Sequence, residues 1–220
     1  MAGRALAREP KEIVTRGYDA IALRYAKWAG QIESPVMDWV RQLDTHLSDS
    51  SDVLELDCGR GVPATRELAR RHRVTGVDIS AVQVELARHH VPEASFVHGD
   101  AMELEVAPAS FDAVVALFVF GHVPVEEQPG LIARIALWLR DGGLFLGTFS
   151  SGEAGEEVDD DWLGAPMFFS HWDAGANRRL VEQSGLRILS AREEIADEDG
   201  APVAFLWIVA EQPQTGEISR

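Results

Sequence analysis

The chain has 220 residues, 46% of them hydrophobic, enough for one well-buried core with a small appendage. It carries 36 acidic against 20 basic side chains, a formal net charge of −16, and such a surface repels nucleic-acid backbones. A single cysteine, Cys58, excludes an internal disulfide and a cysteine metal cluster, and it reads as a small buried residue.

Taken in chain order, the N-terminal MAGRALAREPKEIV lacks an apolar signal core, so a cytoplasmic location is expected. Residues 10–46 read as helices: Tyr18, Ala22 and Tyr25 recur three or four apart, Trp28 follows, and Pro35 opens a second stretch through Val40 and Leu43. From residue 51 strands and helices alternate. Strand one is Asp52–Leu56, and Pro63 suits the first turn of a helix running to about Arg71. The basic stretch Arg66 to Arg73 reads as a solvated helix face. Strand two is Arg73–Val77. Ser80 with Gln83 makes a capping-box start for a helix to His90, and strand three is Ser95–His98. Strand four is expected over Phe111–Phe120, whose Ala113–Phe120 portion is the longest apolar run and too short to span a membrane. A helix over Val125–Arg140 stops at Asp141-Gly142-Gly143, and strand five is Leu144–Phe149. Residues 150–172 read as a long acidic loop with aromatics. A helix over Asp173–Ser184 ends at Gly185, and strands Leu186–Ala191 and Val203–Ala210 join around Asp197-Glu198-Asp199-Gly200. The alternation implies an α/β fold, a doubly wound parallel sheet with helices on both faces, and the closing hairpin makes the last strand antiparallel. Two parts are expected: a helical lid over residues 1–46 and a nucleotide-binding unit over 47–220.

In such a sheet ligands bind beyond the carboxyl ends of the strands, so the loop after strand one, VLELDCGRG, is the first place to look. Gly59 and Gly61 let a ligand approach the backbone closely. Gly59-x-Gly61-x-x-Ala64, with Asp78 ending strand two, fits a dinucleotide pattern. No phosphate-cradling G-x-x-x-x-G-K-[ST] exists. Glu55 and Asp57 flank the loop, and two carboxylates beside a pyrophosphate lose Coulomb energy, ~4 kcal/mol per close pair at an intermediate dielectric. A nucleoside carrying a sulfonium and an ammonium gains from the same carboxylates. S-adenosylmethionine is such a ligand.

Five stretches in order, VLELDCGRG, GVDIS (Gly76–Ser80), HGDAM (His98–Met102), FDAVVALFVFGHV (Phe111–Val123) and LRDGGLFLGTF (Leu139–Phe149), resemble the class I S-adenosylmethionine-dependent methyltransferases of small-molecule type. The resemblance covers roughly residues 50–150 and implies a Rossmann-like sheet of seven strands with strand seven antiparallel. By position it implies that Glu55 is the acidic residue at the end of strand one and that Gly59 and Gly61 line the cofactor. Asp78 would hold the ribose, with Ile79 against the adenine. Asp100 would accept from the adenine amino group, with Ala101 and Met102 completing the pocket. Asp57 stands where the family often has glycine. A Cβ there would crowd the methionyl end of the cofactor unless the turn keeps φ negative; the alternative is that the Asp57 carboxylate faces the cofactor ammonium or turns to solvent. Tyr18, Tyr25 and Trp28 would lid the cofactor from the N-terminal side. Without the loop, Asp78 and Asp100 read equally well as helix-capping residues.

His122, in Phe120-Gly121-His122-Val123-Pro124 after strand four, is the candidate general base; a histidine that bonds a backbone group and shapes the loop is the equal alternative. His171, in Phe168-Phe169-Ser170-His171-Trp172, is a second candidate base or a helix-entry residue. Trp162, Phe168 and Trp172 are expected in an acceptor wall over residues 152–172, among its six carboxylates. No HExxH exists and no metal is expected. The expected partner is a small-molecule methyl acceptor, with neither nucleic acid nor membrane involved. Two other readings stand beside this one: an NAD-dependent oxidoreductase, and a non-catalytic binding protein on the same fold.

Overall fold

The run Val53–Leu56 is buried without interruption, the pattern of a strand covered on both faces, and it forms the centre of the fold. In this computed structural model, which describes residues 9–198 and 201–214, β1 (Asp52–Leu56) pairs parallel with β2 (Arg73–Asp78) and with β4 (Phe111–Ala116). β3 (Ser95–His98) adds beyond β2 and β5 (Leu139–Ser150) beyond β4, both parallel. A terminal hairpin of β8 (Arg187–Glu198) and β9 (Ala201–Glu211) completes the sheet, with β9 antiparallel to both β5 and β8. The order β3-β2-β1-β4-β5-β9-β8 is the expected seven-stranded, mostly parallel sheet with its last strand reversed. Asp199 and Gly200 of the expected hairpin turn lie outside the described residues.

Helices cover both faces. α2 (Val36–Asp44) and α3 (Ala64–Leu68) bury Trp39, Val40, Leu43 and Leu68 against Val53, Val115 and Leu146. On the other face α5 (Gln128–Trp138) and α6 (Ala174–Gln183) bury Leu131, Ile135 and Val181 against Leu54, Val114 and Phe145. α4 (Ala81–His90) packs along β2 and β3. Ser80 caps α4 as its sequence pattern implies, its Oγ accepting from the Gln83 N–H at 3.2 Å.

Several boundaries differ from expectation, each for a local reason. β4 stops at Ala116 rather than Phe120, because Phe118 takes φ +61 and turns its ring onto Phe205 and Trp207. The chain then forms a 3₁₀ turn over Phe120–His122. α3 ends at Leu68 and α5 begins at Gln128. Asp141-Gly142-Gly143 does not cap a helix; it is an irregularity inside β5, where the register with β4 jumps from Phe111↔Leu139 to Ala113↔Leu144. The largest departure is the expected loop over 150–172. It contains a two-stranded ribbon, β6 (Gly155–Trp162) and β7 (Ala165–His171), joined by Leu163 and Gly164. Both joining residues have positive φ, +51 and +87, which gives the turn the twist that antiparallel strands need.

α1 (Pro10–Ala29) packs on β7 rather than on the main sheet. Ile13, Val14 and Ile21 meet Ala165, Met167 and Phe168 in a core separate from the two sheet-face cores. Of the helices expected as a lid, α1 lies over the strand ends, whereas α2 belongs to the sheet face. The approach is tightest at Gly17, where a Cβ would stand 2.7 Å from Met167 Cε and 2.8 Å from the Pro166 carbonyl oxygen. Gly17→Ala should therefore loosen α1. Overpacking costs about 1–3 kcal/mol, which outweighs a helix-propensity gain of about 1 kcal/mol. Amide exchange should quicken through α1 and stay unchanged in β1; equal protection in both proteins would show that the contact is slack.

Candidate active site

The parallel register sets Leu56 of β1 beside Val77 of β2 and Ala116 of β4, so the three following loops open at one level. After β1 the backbone turns sharply, with φ of +49 at Asp57, +53 at Gly59 and +76 at Gly61. Gly61 allows the turn to close on α4, since a Cβ there would meet Val91 at 3.1 Å; at Gly59 the same position faces open space. The turn does not keep φ negative at Asp57. The residue takes the left-handed region, which aspartate tolerates better than most side chains, and its side chain lines the cleft.

Asp78 ties the loops together. Its two carboxylate oxygens accept from the Gly59 N–H and the Ser80 N–H, each at 2.8 Å. Burial, and then the charge of Asp19, push its carboxyl up to about 6 against the two backbone bonds. Asp57 is pushed well above the usual carboxylate range, first by burial and then by Asp78 and Asp100. Glu55 is buried and accepts from the Thr65 hydroxyl at 2.6 Å, so it braces β1 against α3 from within. Burial raises it to about 7, with the Thr65 bond pulling the other way. Among the described residues no group of three or more histidine, cysteine, aspartate or glutamate side chains is placed to hold a metal, and no helix is long and apolar enough to cross a membrane.

The cleft runs from this turn along Ile79, Asp100, Ala101 and Met102 to Val119 and His122. α1 roofs it with Lys11, Val14 and, at the His122 end, Tyr18. Asp100 accepts from the Met102 N–H at 2.7 Å and pairs with the Lys11 ammonium at 2.8 Å; Lys11 also reaches Glu127 at 3.3 Å. Burial lowers the Lys11 pKa, but these two carboxylates outweigh it and leave the ammonium more basic than usual. Beneath α1 as placed, the cavity is about 30 Å³, room for water.

His122 is bonded at both ring nitrogens. Nδ1 lies 2.9 Å from the Phe168 carbonyl oxygen, which can only accept, so Nδ1 carries the proton. Nε2 then has the lone pair and accepts the Tyr18 hydroxyl at 2.8 Å. Burial lowers the histidine pKa, against the Phe168 bond, and favours the neutral ring. The ring thus bonds a backbone group through Nδ1, and its Nε2 faces the Tyr18 hydroxyl.

Tyr18 and Tyr25 stack edge to face at 5.3 Å and meet Trp162, which also touches Trp28 and Phe169. Burial raises both tyrosine pKa values, Tyr25 to about 12. Phe168 contributes its carbonyl to His122 and its ring to the α1–β7 core. His171 pairs with Gly155 at the open end of the ribbon, and neither it nor Trp172 lines the cleft. Sequence reasoning missed Lys11, which shares a helix stripe with Val14, Tyr18 and Tyr25, and Asp19, which accepts from the Ser80 hydroxyl at 2.6 Å.

A sequence-family model described as "Methyltransferase domain" matches residues 53–143, the span that holds Asp57, Asp78, Asp100 and His122. The 27-O-demethylrifamycin SV methyltransferase of Amycolatopsis mediterranei is 35% identical over 175 residues, covering 68% of this chain and 63% of that protein. Residues 53–143 are a methyltransferase domain, and the fold is that of the class I S-adenosylmethionine-dependent methyltransferases. The sterol 24-C-methyltransferase of Candida albicans is 34% identical over 108 residues, 46% of this chain and 28% of its own length. The chain thus spans less than two thirds of either relative. In fold it is similar to the 1,6-didemethyltoxoflavin-N1-methyltransferase of Burkholderia thailandensis, solved with 1,6-didemethyltoxoflavin and S-adenosylhomocysteine, at TM-score 0.71, 19% identity and coverage of 96% and 94% of the two chains. The cofactor of that family is S-adenosylmethionine, and the chemistry of the groups around the cleft suits it, though α1 as placed leaves room only for water: an open glycine edge, carboxylates for hydroxyl, amino and cationic groups, and apolar Ile79 and Met102 for a flat ring.

The carboxyls raised above their unfolded values give a stability term that is full in acid and is lost as pH rises through about 6 to 7. Asp57→Gly removes one such charge and the positive-φ cost, about 1 kcal/mol. It should raise the denaturation midpoint, and by more at about pH 8 than at about pH 5. A lower midpoint would mean that the Asp57 carboxylate stabilises the turn.

Proposed function

We propose that the protein transfers a methyl group from S-adenosylmethionine to an oxygen or nitrogen atom of a small organic acceptor. The observation that carries this reading is an imidazole at the cleft wall, fixed with its basic nitrogen on the Tyr18 hydroxyl, in the same cleft as Asp57 and Asp100. Bound there, the cofactor supplies an electrophilic methyl on a sulfonium. Asp78 would receive the ribose hydroxyls, Asp100 the adenine amino group in exchange for part of its Lys11 contact, and Asp57 the ammonium, with Ile79, Ala101 and Met102 around the base. α1 and β7 would exclude water and hold the acceptor in line, an alignment worth ~7–11 kcal/mol of barrier in favourable cases.

A hydroxyl or ammonium acceptor must lose a proton as its bond to carbon forms. His122 Nε2 is the group placed to take it, with Tyr18 between base and cleft: its hydroxyl accepts the acceptor's proton as it passes its own to Nε2. The printed names of the rifamycin and toxoflavin relatives describe O- and N-methylation of organic molecules, which supports this acceptor class. The sterol enzymes, C-methyltransferases by name, match over less than half of this chain. The oxidoreductase reading has no support from the family match, and the non-catalytic reading is the one that experiment must separate.

Titration calorimetry should show S-adenosylmethionine binding that tightens as pH rises through about 6 and Asp78 ionises. Asp78→Ala should weaken it by about tenfold or more, and NAD should not compete. Absence of binding at millimolar cofactor would favour the non-catalytic reading. In assays of labelled methyl transfer to a panel of small alcohols and amines, His122→Ala should lower turnover by roughly 10²–10⁴-fold with cofactor affinity kept. Tyr18→Phe should fall between the two. An unchanged rate in His122→Ala would remove it as the base.

A further inference from the structure

We propose that Gln128, acting with Ser170, is the positioning element that fixes the tautomer and orientation of His122; the proposal rests on His122 being the base. Gln128 opens α5 and is 1% exposed, yet its amide is aimed away from the helix. Its Nε2 donates to the carbonyl oxygens of Phe120 at 2.9 Å and Val123 at 3.0 Å, the residues that bracket the 3₁₀ turn carrying His122. The same nitrogen lies 3.1 Å from Ser170 Oγ. Ser170, also 1% exposed, in turn donates to the Val123 carbonyl.

Ser170 is two residues along β7 from Phe168, whose carbonyl accepts the His122 Nδ1 proton. The bonds therefore close a ring. From His122 Nδ1 it passes to Phe168, along β7 to Ser170, through the Ser170 hydroxyl to the Val123 carbonyl, from there to the Gln128 amide and on to Phe120, and through Gly121 to His122 again. The backbone that carries the imidazole hangs from the Gln128 amide and the Ser170 hydroxyl, which also lies 3.1 Å from the Phe120 carbonyl oxygen. A residue needed only to fill this apolar space would be a leucine or methionine. An amide donor with two protons is needed because two carbonyls of the turn point inward and the Ser170 hydroxyl has one proton to give them. With the donor gone, the turn relaxes toward water, the Nδ1–Phe168 contact lengthens, and the ring is free to place its proton on Nε2. In that tautomer the nitrogen facing Tyr18 has no lone pair to take a proton.

The test compares the full chain with Gln128→Met, which keeps volume and removes the donor, and with Ser170→Ala. Ser170→Thr keeps the hydroxyl and serves as the rescue. Imidazole ¹⁵N shifts, assigned by loss of one signal set in His122→Ala, should show a single Nδ1–H tautomer in the wild type and in Ser170→Thr. Gln128→Met and Ser170→Ala should show a tautomer mixture. Turnover in those two variants should fall by about tenfold or more while S-adenosylhomocysteine affinity stays within about twofold. Should Gln128→Met fail to fold, Ser170→Ala carries the same test. An unchanged tautomer in the folded variants would overturn the positioning role. A changed tautomer with an unchanged rate would leave the positioning in place and overturn the reading of His122 as base.

Discussion

Three strands ending at one level deliver Asp57 and Asp100 to one poorly solvated cleft, with Asp78 buried beside them, and this concentration of carboxylates governs what the site can accept. The strain is visible in the carboxyls themselves: Asp57 and Asp78 hold protons more tightly than free aspartate, chiefly because burial penalises their ions. The protein relieves part of it internally, with backbone N–H groups on Asp78 and the Lys11 ammonium on Asp100. The remainder favours a ligand that brings hydroxyl donors and positive charge, and it disfavours a diphosphate. A left-handed aspartate where a glycine would be easier is consistent with a backbone shaped for the ligand rather than for its own comfort.

The same cleft governs how its cover is attached. Between themselves, α1 and β7 make a dry contact around Met167 and Ile21. Their attachments to the sheet domain are largely polar and fall on residues of the site: Tyr18 on His122, Lys11 on Asp100, Asp19 on Ser80, the Phe168 carbonyl on His122. A cover built this way is held by the same groups that are proposed to contact a bound ligand, so docking of α1 and filling of the cleft would be coupled through shared hydrogen bonds. Glycine at position 17 lets α1 lie close enough for those bonds to form.

Much of this was readable from residues alone where local rules decide. β1 announces itself as an unbroken apolar run, Ser80 as a cap, and Asp78 and Asp100 as loop carboxylates after strands. The ribbon β6–β7 was not readable, because Asp159, Asp160 and Asp161 are poor strand formers and its turn uses Leu163-Gly164 rather than an asparagine-glycine pair. β4 was overextended because Phe118 and Phe120 continue the apolar run while the backbone has already turned. Gln128 and Ser170 carry no sequence signal at all. Their meaning depends on three segments meeting, residues 120–123, 128 and 170, which no periodicity encodes. Lys11 was within reach, one helical stripe from Tyr18, but a lone lysine reads by default as surface.

The account is tested most directly by a crystal structure of the full chain with S-adenosylmethionine. It expects the ribose hydroxyls on Asp78, the adenine amino group on Asp100, and the cationic end of the cofactor beside Asp57, with α1 still docked on β7. Cofactor density elsewhere on the protein, or a diphosphate-containing nucleotide held preferentially at the turn after β1, would contradict it.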